Sequence, residues 1–138
     1  MPDITIFDEK GVEIKRDSLS KGLVALHFWA TWCSSCEREL DSISKLTEKK
    51  ISLYCISIDD DPTEAIEYLK KLNLKLPLYF DRNSVVAKRL GSSKFPETYI
   101  LYNGKIILKF EGPRDWENKE LIEFIYRTAY VSLTSIIK

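Results

Sequence analysis

The sequence predicts an α/β fold: a central mixed β-sheet flanked by helices on both faces, preceded by an N-terminal β-hairpin extension. Three observations carry the prediction. Apolar runs of strand length at 23–29 and 51–58 alternate with helical patterns. Asn103-Gly104 lies between two β-rich runs, the strongest short hairpin signal. A single helical stripe then closes the chain, so that the order reads βαβα(α)ββα. The 138 residues suit one domain spanning 1–138. With 44% hydrophobic and 30% charged residues, the composition is that of a soluble globular protein. Basic and acidic residues balance at 21 each, which argues against a dedicated nucleic-acid or acidic-membrane surface. No apolar run approaches the ~18 residues that span a bilayer. Met1-Pro2-Asp3-Ile4 lacks the charged-then-apolar layout of a leader.

Ile4 to Phe7 and Val12 to Ile14 are short alternating runs around Asp8-Glu9-Lys10-Gly11, which read as the hairpin. Leu23 to Trp29 is apolar on both parities and is expected as a central strand covered on both faces. From Cys33 to Lys50 the pattern is helical, with Cys36, Leu40, Ile43, Leu46 and Thr47 on one face. Ile51 to Ile58 is the next strand. Asp61-Pro62-Thr63-Glu64 opens another helix with a cap, a proline at the first helical position and an acid three residues after the cap. That helix buries Ala65, Ile66, Leu69 and Leu72 and stops at Asn73. Pro77 to Phe80 is a short strand, and Ser84 to Leu90 a short helix ended by Gly91. Thr98 to Tyr102 and Lys105 to Phe110 flank the Asn-Gly turn. Asp115 to Ile137 is the closing helix, apolar at 122, 125, 126, 129, 133 and 136.

The chemistry concentrates where the 23–29 strand meets the following helix. Cys33 and Cys36, two residues apart at a strand-to-helix junction, form the signature of a thioredoxin-like redox motif. Residues three apart on a helix are neighbours, and a Cα separation of roughly 5–6 Å is one that a disulfide tolerates. The unpaired N–H groups and positive end of the helix favour the thiolate of the first cysteine. Cys33 is therefore expected to attack and Cys36 to resolve. A structural zinc site wants four Cys or His ligands, and the other candidates, Cys55 and His27, lie in apolar strands away from finger spacing. A purely structural disulfide is a further alternative. Cys55 reads as a buried spare thiol.

Glu39 falls inside the apolar sector, one turn beyond Cys36. It reads either as a glutamate snorkelling to water or as a partly buried acid of raised pKa that exchanges a proton with the dithiol. His27 reads as a neutral core histidine with a backbone partner; if protonated, it would help to stabilise a thiolate. Trp29 and Trp32 are expected to pack around the motif and form part of its apolar surface.

Trp29-Ala30-Thr31-Trp32-Cys33-Ser34-Ser35-Cys36 resembles the active-site segment of the thioredoxin superfamily. Trp32, Cys33, Cys36 and Glu39 match, position by position, the Trp-Cys-x-x-Cys-x-x-Glu motif of the TlpA/ResA-like thiol-disulfide oxidoreductases, which include the cytochrome c maturation thioredoxins. Lys94-Phe95-Pro96-Glu97-Thr98-Tyr99-Ile100-Leu101 looks like the same family's proline loop. The resemblance implies a thioredoxin fold with the hairpin added, and an active-site role for Glu39. It implies a cis Phe95-Pro96 bond beside Cys33, with Phe95 offering backbone groups to a substrate peptide bound against Trp32, Phe95 and Pro96. Glu97 and His27 are candidate tuning residues. His27 is the chief departure, since thioredoxins place a buried acid there and the TlpA-like branch often a neutral polar residue. Ser34-Ser35 departs from the common Gly-Pro and other proline-containing dipeptides and leaves the reduction potential open.

The function so implied is reduction of disulfides in protein substrates, among them cysteines destined for haem attachment. The redox-active Cys33–Cys36 disulfide stands in place of any cofactor or metal. An upstream thiol reductant supplies electrons, no nucleic acid takes part, and the chain is expected as a monomer. The expected location is the periplasm or cell envelope, with a leader or anchor absent from this sequence. Two rival readings stand beside it: a cytosolic thioredoxin-like reductant, and a non-catalytic binding module with a structural disulfide.

Overall fold

The computed structural model describes residues 4–137, with side chains as far as residue 133. Among the described residues the strands are β1 (Thr5–Phe7), β2 (Glu13–Lys15), β3 (Leu23–Trp29), β4 (Ser52–Ser57), β5 (Leu78–Phe80), β6 (Glu97–Tyr102) and β7 (Lys105–Glu111). The helices are α1 (Cys36–Ile43), α2 (Pro62–Lys71), α3 (Val85–Arg89) and α4 (Lys119–Ile137). The strands form one mixed sheet in the order β2-β1-β5-β4-β3-β6-β7. β3, β4 and β5 run parallel, while β6 pairs antiparallel with β3 and β7 with β6. The hairpin of β1 and β2 extends the sheet through a single β1–β5 pairing, Phe7 with Phe80.

Alternation along the strands divides the core into two layers. Ala25 and Trp29 of β3, Leu53 and Cys55 of β4 and Ile100 of β6 pack with Cys36, Leu40 and Ile43 of α1, Ala65 and Leu69 of α2, and Ile122 and Ile125 of α4. Val24, Leu26 and Phe28, Ile56, Tyr99 and Leu101 pack on the opposite face with Val86 and Ala87 of α3 and with Ile4, Ile6 and Leu19. The register sets His27 opposite Cys55 on β4 and opposite Thr98 on β6. Three polar side chains thus lie in one row across the middle of the sheet, on the face covered by α1.

Local chemistry explains two of the element ends. Asp61 caps α2 by accepting the Thr63 N–H at 2.9 Å, with Pro62 at the first helical position. The β6–β7 hairpin turns through Asn103 and Gly104, both at positive φ (50° and 83°), the conformation of a two-residue primed turn.

Two of the expected helices need correction, each in its start and in its buried face. The helix after the cysteines begins at Cys36, not Cys33, because residues 33–36 make a separate turn. It tightens to a 3₁₀ segment, Ser44–Glu48, which rotates Thr47 into solvent. The closing helix begins at Lys119 instead of Asp115: Asn118 Oδ1 accepts the Leu121 N–H at 3.0 Å, leaving residues 115–118 free to turn inward. Its buried stripe is Ile122, Ile125 and Ala129, while Tyr126 and Leu133 are exposed; the side chain at 136 lies outside the described residues.

Leu40 is fully buried beneath α1. Leu40→Ala is expected to lower the unfolding free energy in urea by about 2–5 kcal/mol through the cavity it leaves. A loss well under 1 kcal/mol would show that α1 does not depend on this packing for its seat.

Candidate active site

Between the end of β3 and the start of α1 the chain makes two successive turns. Cys33 N–H donates to Ala30 O at 3.1 Å and Cys36 N–H to Cys33 O at 3.2 Å. Cys33 and Cys36 are joined as a disulfide with Cα atoms 5.4 Å apart. Cys36 is fully buried, and Cys33 keeps 7% of its surface open, so Cys33 is the sulfur that an incoming group reaches. Cys33 Sγ lies 3.5 Å from the Phe95 carbonyl oxygen and 3.5 Å from Ser35 Oγ. The Phe95-Pro96 peptide is cis and Pro96 is buried. Trp32 is 66% exposed and meets the Phe95 ring edge-on at 6.2 Å. Trp29, expected in the same apolar surface, is instead wholly buried and packs on Tyr68, because it is the last residue of a central strand.

Asp59, just beyond β4, supports the motif from the other side. Its carboxylate accepts Thr31 Oγ1–H at 2.7 Å, Thr31 N–H at 3.0 Å and Ser57 Oγ–H at 2.7 Å. The turn leading to Cys33 is therefore tied to a second parallel strand. An open groove of about 1130 Å³ runs along the outer side of α1, bordered by Ser34, Ser35, Glu37, Arg38 and Arg114. Trp32, Cys33 and Phe95 do not line it, so an approach to the sulfur runs over the Trp32–Phe95 side.

Glu39 is 2% exposed, which decides between its two readings in favour of burial. Its Oε2 accepts two hydrogen bonds of 2.9 Å, from Arg114 N–H and from Trp116 Nε1–H. Gly112, at φ 82°, turns the chain away from β7 and toward α1. Trp116 N–H then donates to Ser42 Oγ at 3.2 Å, stitching that segment to the same helix. Glu39 Oε1 has no hydrogen-bond partner among the described residues and faces His27 Nε2 at 3.4 Å. His27 Nε2 is likewise without one, while His27 Nδ1 pairs with Thr98 Oγ1 at 2.7 Å, a side-chain hydroxyl where a backbone partner was expected.

Burial sets the charge states. It raises the Glu39 carboxyl to about 7, against the opposing pull of the Trp116 and Arg114 bonds and the Arg114 charge. It pushes His27 down to about 3, which leaves the imidazole neutral. Burial, with the nearby Glu39 carboxylate, holds the Cys55 thiol well above its ordinary range. Cys55 is a free, fully buried thiol.

Of the residues singled out in the sequence, Cys33, Cys36, Trp32, Phe95 and Pro96 come together, while Glu39 lies buried about one turn along α1 from Cys36 and faces His27. Glu97 points to the opposite face of β6. There it accepts Ser92 Oγ–H at 2.5 Å and Tyr99 O–H at 3.3 Å, with Lys109 Nζ at 3.6 Å. Thr98, Trp116, Arg114 and Asp59 were not foreseen. Thr98 stood in the quoted proline-loop stretch, and Trp116 fell inside the expected closing helix, without either being marked as a site residue. Among the described residues no cluster of three or more His, Cys, Asp or Glu is placed to hold a metal ion.

The profile of the AhpC/TSA family matches residues 1–110. The chain is 28% identical over 125 residues to the thiol-disulfide oxidoreductase ResA of Bacillus thuringiensis subsp. konkukian (strain 97-27), covering 86% of this chain and 72% of that protein. It is 33% identical over 118 residues to the thiol:disulfide interchange protein DsbE of Escherichia coli (strain K12), covering 81% and 64%. In fold it is similar to a secreted Mycobacterium tuberculosis disulfide oxidoreductase, with a TM-score of 0.72 over 92% of this chain and 95% of that one, at 20% identity.

The two buried groups give opposite pH dependences of stability. Glu39 holds its proton more tightly folded than unfolded, so its contribution is full below about 4.5 and is lost as pH rises through about 7. His27 resists protonation when folded, so its contribution is full above about 6.5 and is lost as pH falls toward about 3. Between 4.5 and 6.5 the two slopes oppose each other. In Glu39→Gln only the His27 slope remains, and the unfolding free energy is expected to fall by about 2–3 kcal/mol as pH is lowered from 6.5 to 4.5, while the wild type changes far less. Unfolding free energies from urea denaturation that change in parallel with pH in the two proteins would contradict a raised Glu39 carboxyl.

Proposed function

The chain belongs to the AhpC/TSA family, and we propose that it is a thiol-disulfide oxidoreductase that reduces disulfides in protein substrates through Cys33 and Cys36. The observation that carries the reading is a disulfide at the head of α1 whose first sulfur is the open one, beside the Phe95 carbonyl, with a buried carboxyl about one turn along the same helix.

In the reduced enzyme the Cys33 thiolate attacks one sulfur of the substrate disulfide. A Cys33–substrate mixed disulfide forms, and the other substrate sulfur leaves as a thiolate that takes up a proton. Cys36, once deprotonated, attacks Cys33 Sγ. The Cys33–Cys36 bond forms, the second substrate thiolate leaves, and two electrons have passed to the substrate. Glu39 is the group placed to take the Cys36 proton, since a carboxyl of about 7 exchanges protons readily near neutrality. An upstream thiol reductant reopens the enzyme disulfide. Trp32 and Phe95 supply the apolar contact for the substrate peptide, and the Phe95 carbonyl a hydrogen-bond acceptor beside the sulfur. An extracytoplasmic setting agrees with the description of one fold neighbour as secreted.

Insulin reduction by dithiothreitol tests the reading. Wild-type protein is expected to accelerate precipitation of the insulin chains, and Cys33→Ser to return the rate to that of dithiothreitol alone. Cys36→Ser should accumulate a mixed disulfide through Cys33, and Glu39→Gln should slow turnover on the order of 10–100-fold at neutral pH. A wild-type rate no faster than dithiothreitol alone would make the chain a binding module. The direction of transfer is tested by equilibrating the Cys33/Cys36 couple with glutathione or dithiothreitol: a reductant is expected near the ~−270 mV of thioredoxin, and a potential near ~−120 mV would make it an oxidant.

A further inference from the structure

The most conspicuous unspent feature of the core is a pair of buried polar atoms facing only each other. His27 Nε2 and Glu39 Oε1 lie 3.4 Å apart, neither with a hydrogen-bond partner among the described residues, on side chains 0% and 1% exposed. Every other valence of the two groups is committed: Glu39 Oε2 to Arg114 N–H and Trp116 Nε1–H, and His27 Nδ1 to Thr98 Oγ1. The separation exceeds the usual hydrogen-bond range of about 2.7–3.2 Å by a few tenths, which a small side-chain rotation closes.

Proton counting then leaves two arrangements. With Glu39 neutral, its proton sits on Oε1 and points at the Nε2 lone pair, so His27 carries its hydrogen on Nδ1 and donates it to Thr98 Oγ1. With Glu39 ionised, Oε1 needs a donor, so His27 carries its hydrogen on Nε2, and its Nδ1 lone pair accepts from the Thr98 hydroxyl. The imidazole is neutral in both. The first arrangement holds one proton more than the second, and that proton is exchanged with the dithiol during turnover or with the buffer at equilibrium. Thr98 is suited to this because a hydroxyl both donates and accepts; an amide or a carbonyl in its place would lock one arrangement.

We infer that His27 is a positioning residue for the proton-handling carboxyl, changing tautomer, with Thr98 as the reversible partner of its other nitrogen, each time Glu39 gains or loses its proton. The inference rests on the role proposed above for Glu39. The titratable or charged groups around the pair are Cys36 on the same helix, Cys55 from β4 and Arg114 from the segment before α4. With Cys36 held in the disulfide and the Cys55 thiol held protonated by its burial, Glu39 is the group that titrates near neutrality.

The chain contains a single histidine, so its imidazole nitrogens can be read without ambiguity in ¹⁵N-labelled, disulfide-form protein. Long-range proton–nitrogen spectra are expected to show the Nδ1–H tautomer at low pH and the Nε2–H tautomer at high pH, with a midpoint at about 7. The midpoint should coincide with that of the Glu39 carboxyl carbon in ¹³C spectra, and Glu39→Gln should hold one tautomer throughout. A wild-type tautomer that does not change, or a change that persists in Glu39→Gln, overturns the inference. His27→Leu removes the group that faces Oε1 among the described residues and should move the Glu39 midpoint up by roughly one pH unit or more; an unmoved midpoint also overturns it. If that variant does not fold, the wild-type spectra still decide. Insulin reduction measured on the same sample separates the two proposals: an active enzyme with a fixed tautomer refutes only this one, and an inactive protein with a switching tautomer refutes the oxidoreductase.

Discussion

A carboxyl group buried under a helix is costly unless its oxygens find donors, and the architecture around α1 is arranged to supply them. Glu39 obtains two, Arg114 N–H and Trp116 Nε1–H, both from a segment that must leave β7, turn at Gly112 and cross the helix to reach it. Ser42 fastens the same segment one turn further along α1. That reach explains why the last helix starts only at Lys119, with Trp116 in the core and not in a helical register. One acidic side chain thus fixes how the C-terminal third of the chain meets the redox motif.

The row of Cys55, His27 and Thr98 across the sheet shows how the same burial treats different chemistries. Desolvation favours the uncharged form of each group: it lifts the thiol and the carboxyl and depresses the imidazole. Cys55 and His27 end far from neutrality and stay uncharged. Glu39, partly compensated by its two donors, comes to rest at about 7. Of these three buried groups, the one whose charge changes near neutrality is therefore Glu39, about one turn along α1 from the fully buried Cys36.

Most of the fold was legible because it is written in local pattern. Period-two and period-3.6 spacing, the Asp61-Pro62 cap and the Asn103-Gly104 turn each report on residues a few positions apart. The elements that misled were those whose geometry is set at long range. Cys33 belongs to the helical pattern in sequence but to a separate turn in space. Trp29 belongs to the motif in sequence and to the core in space, as the last residue of a central strand. The dithiol and Glu39 were visible from spacing, and the contacts beneath them were not. Thr98 meets His27 across 71 positions and Trp116 meets Glu39 across 77, and no periodicity spans such intervals. Asp59 was hidden for a related reason, since a carboxylate after a strand looks like any solvated loop acid until Thr31 is seen bound to it.

The same long intervals bear on how the protein comes into being. Cys33 meets Phe95 only after 62 further residues have been made, and Glu39 meets Trp116 only after 77. On the ribosome the two thiols therefore emerge long before the carbonyl, the indole and the amide that complete their surroundings. Until the polypeptide has been synthesised past Trp116, the nascent chain carries the cysteines without the environment that would distinguish them from any other pair. The full set of contacts around the cysteines thus belongs only to the completed chain.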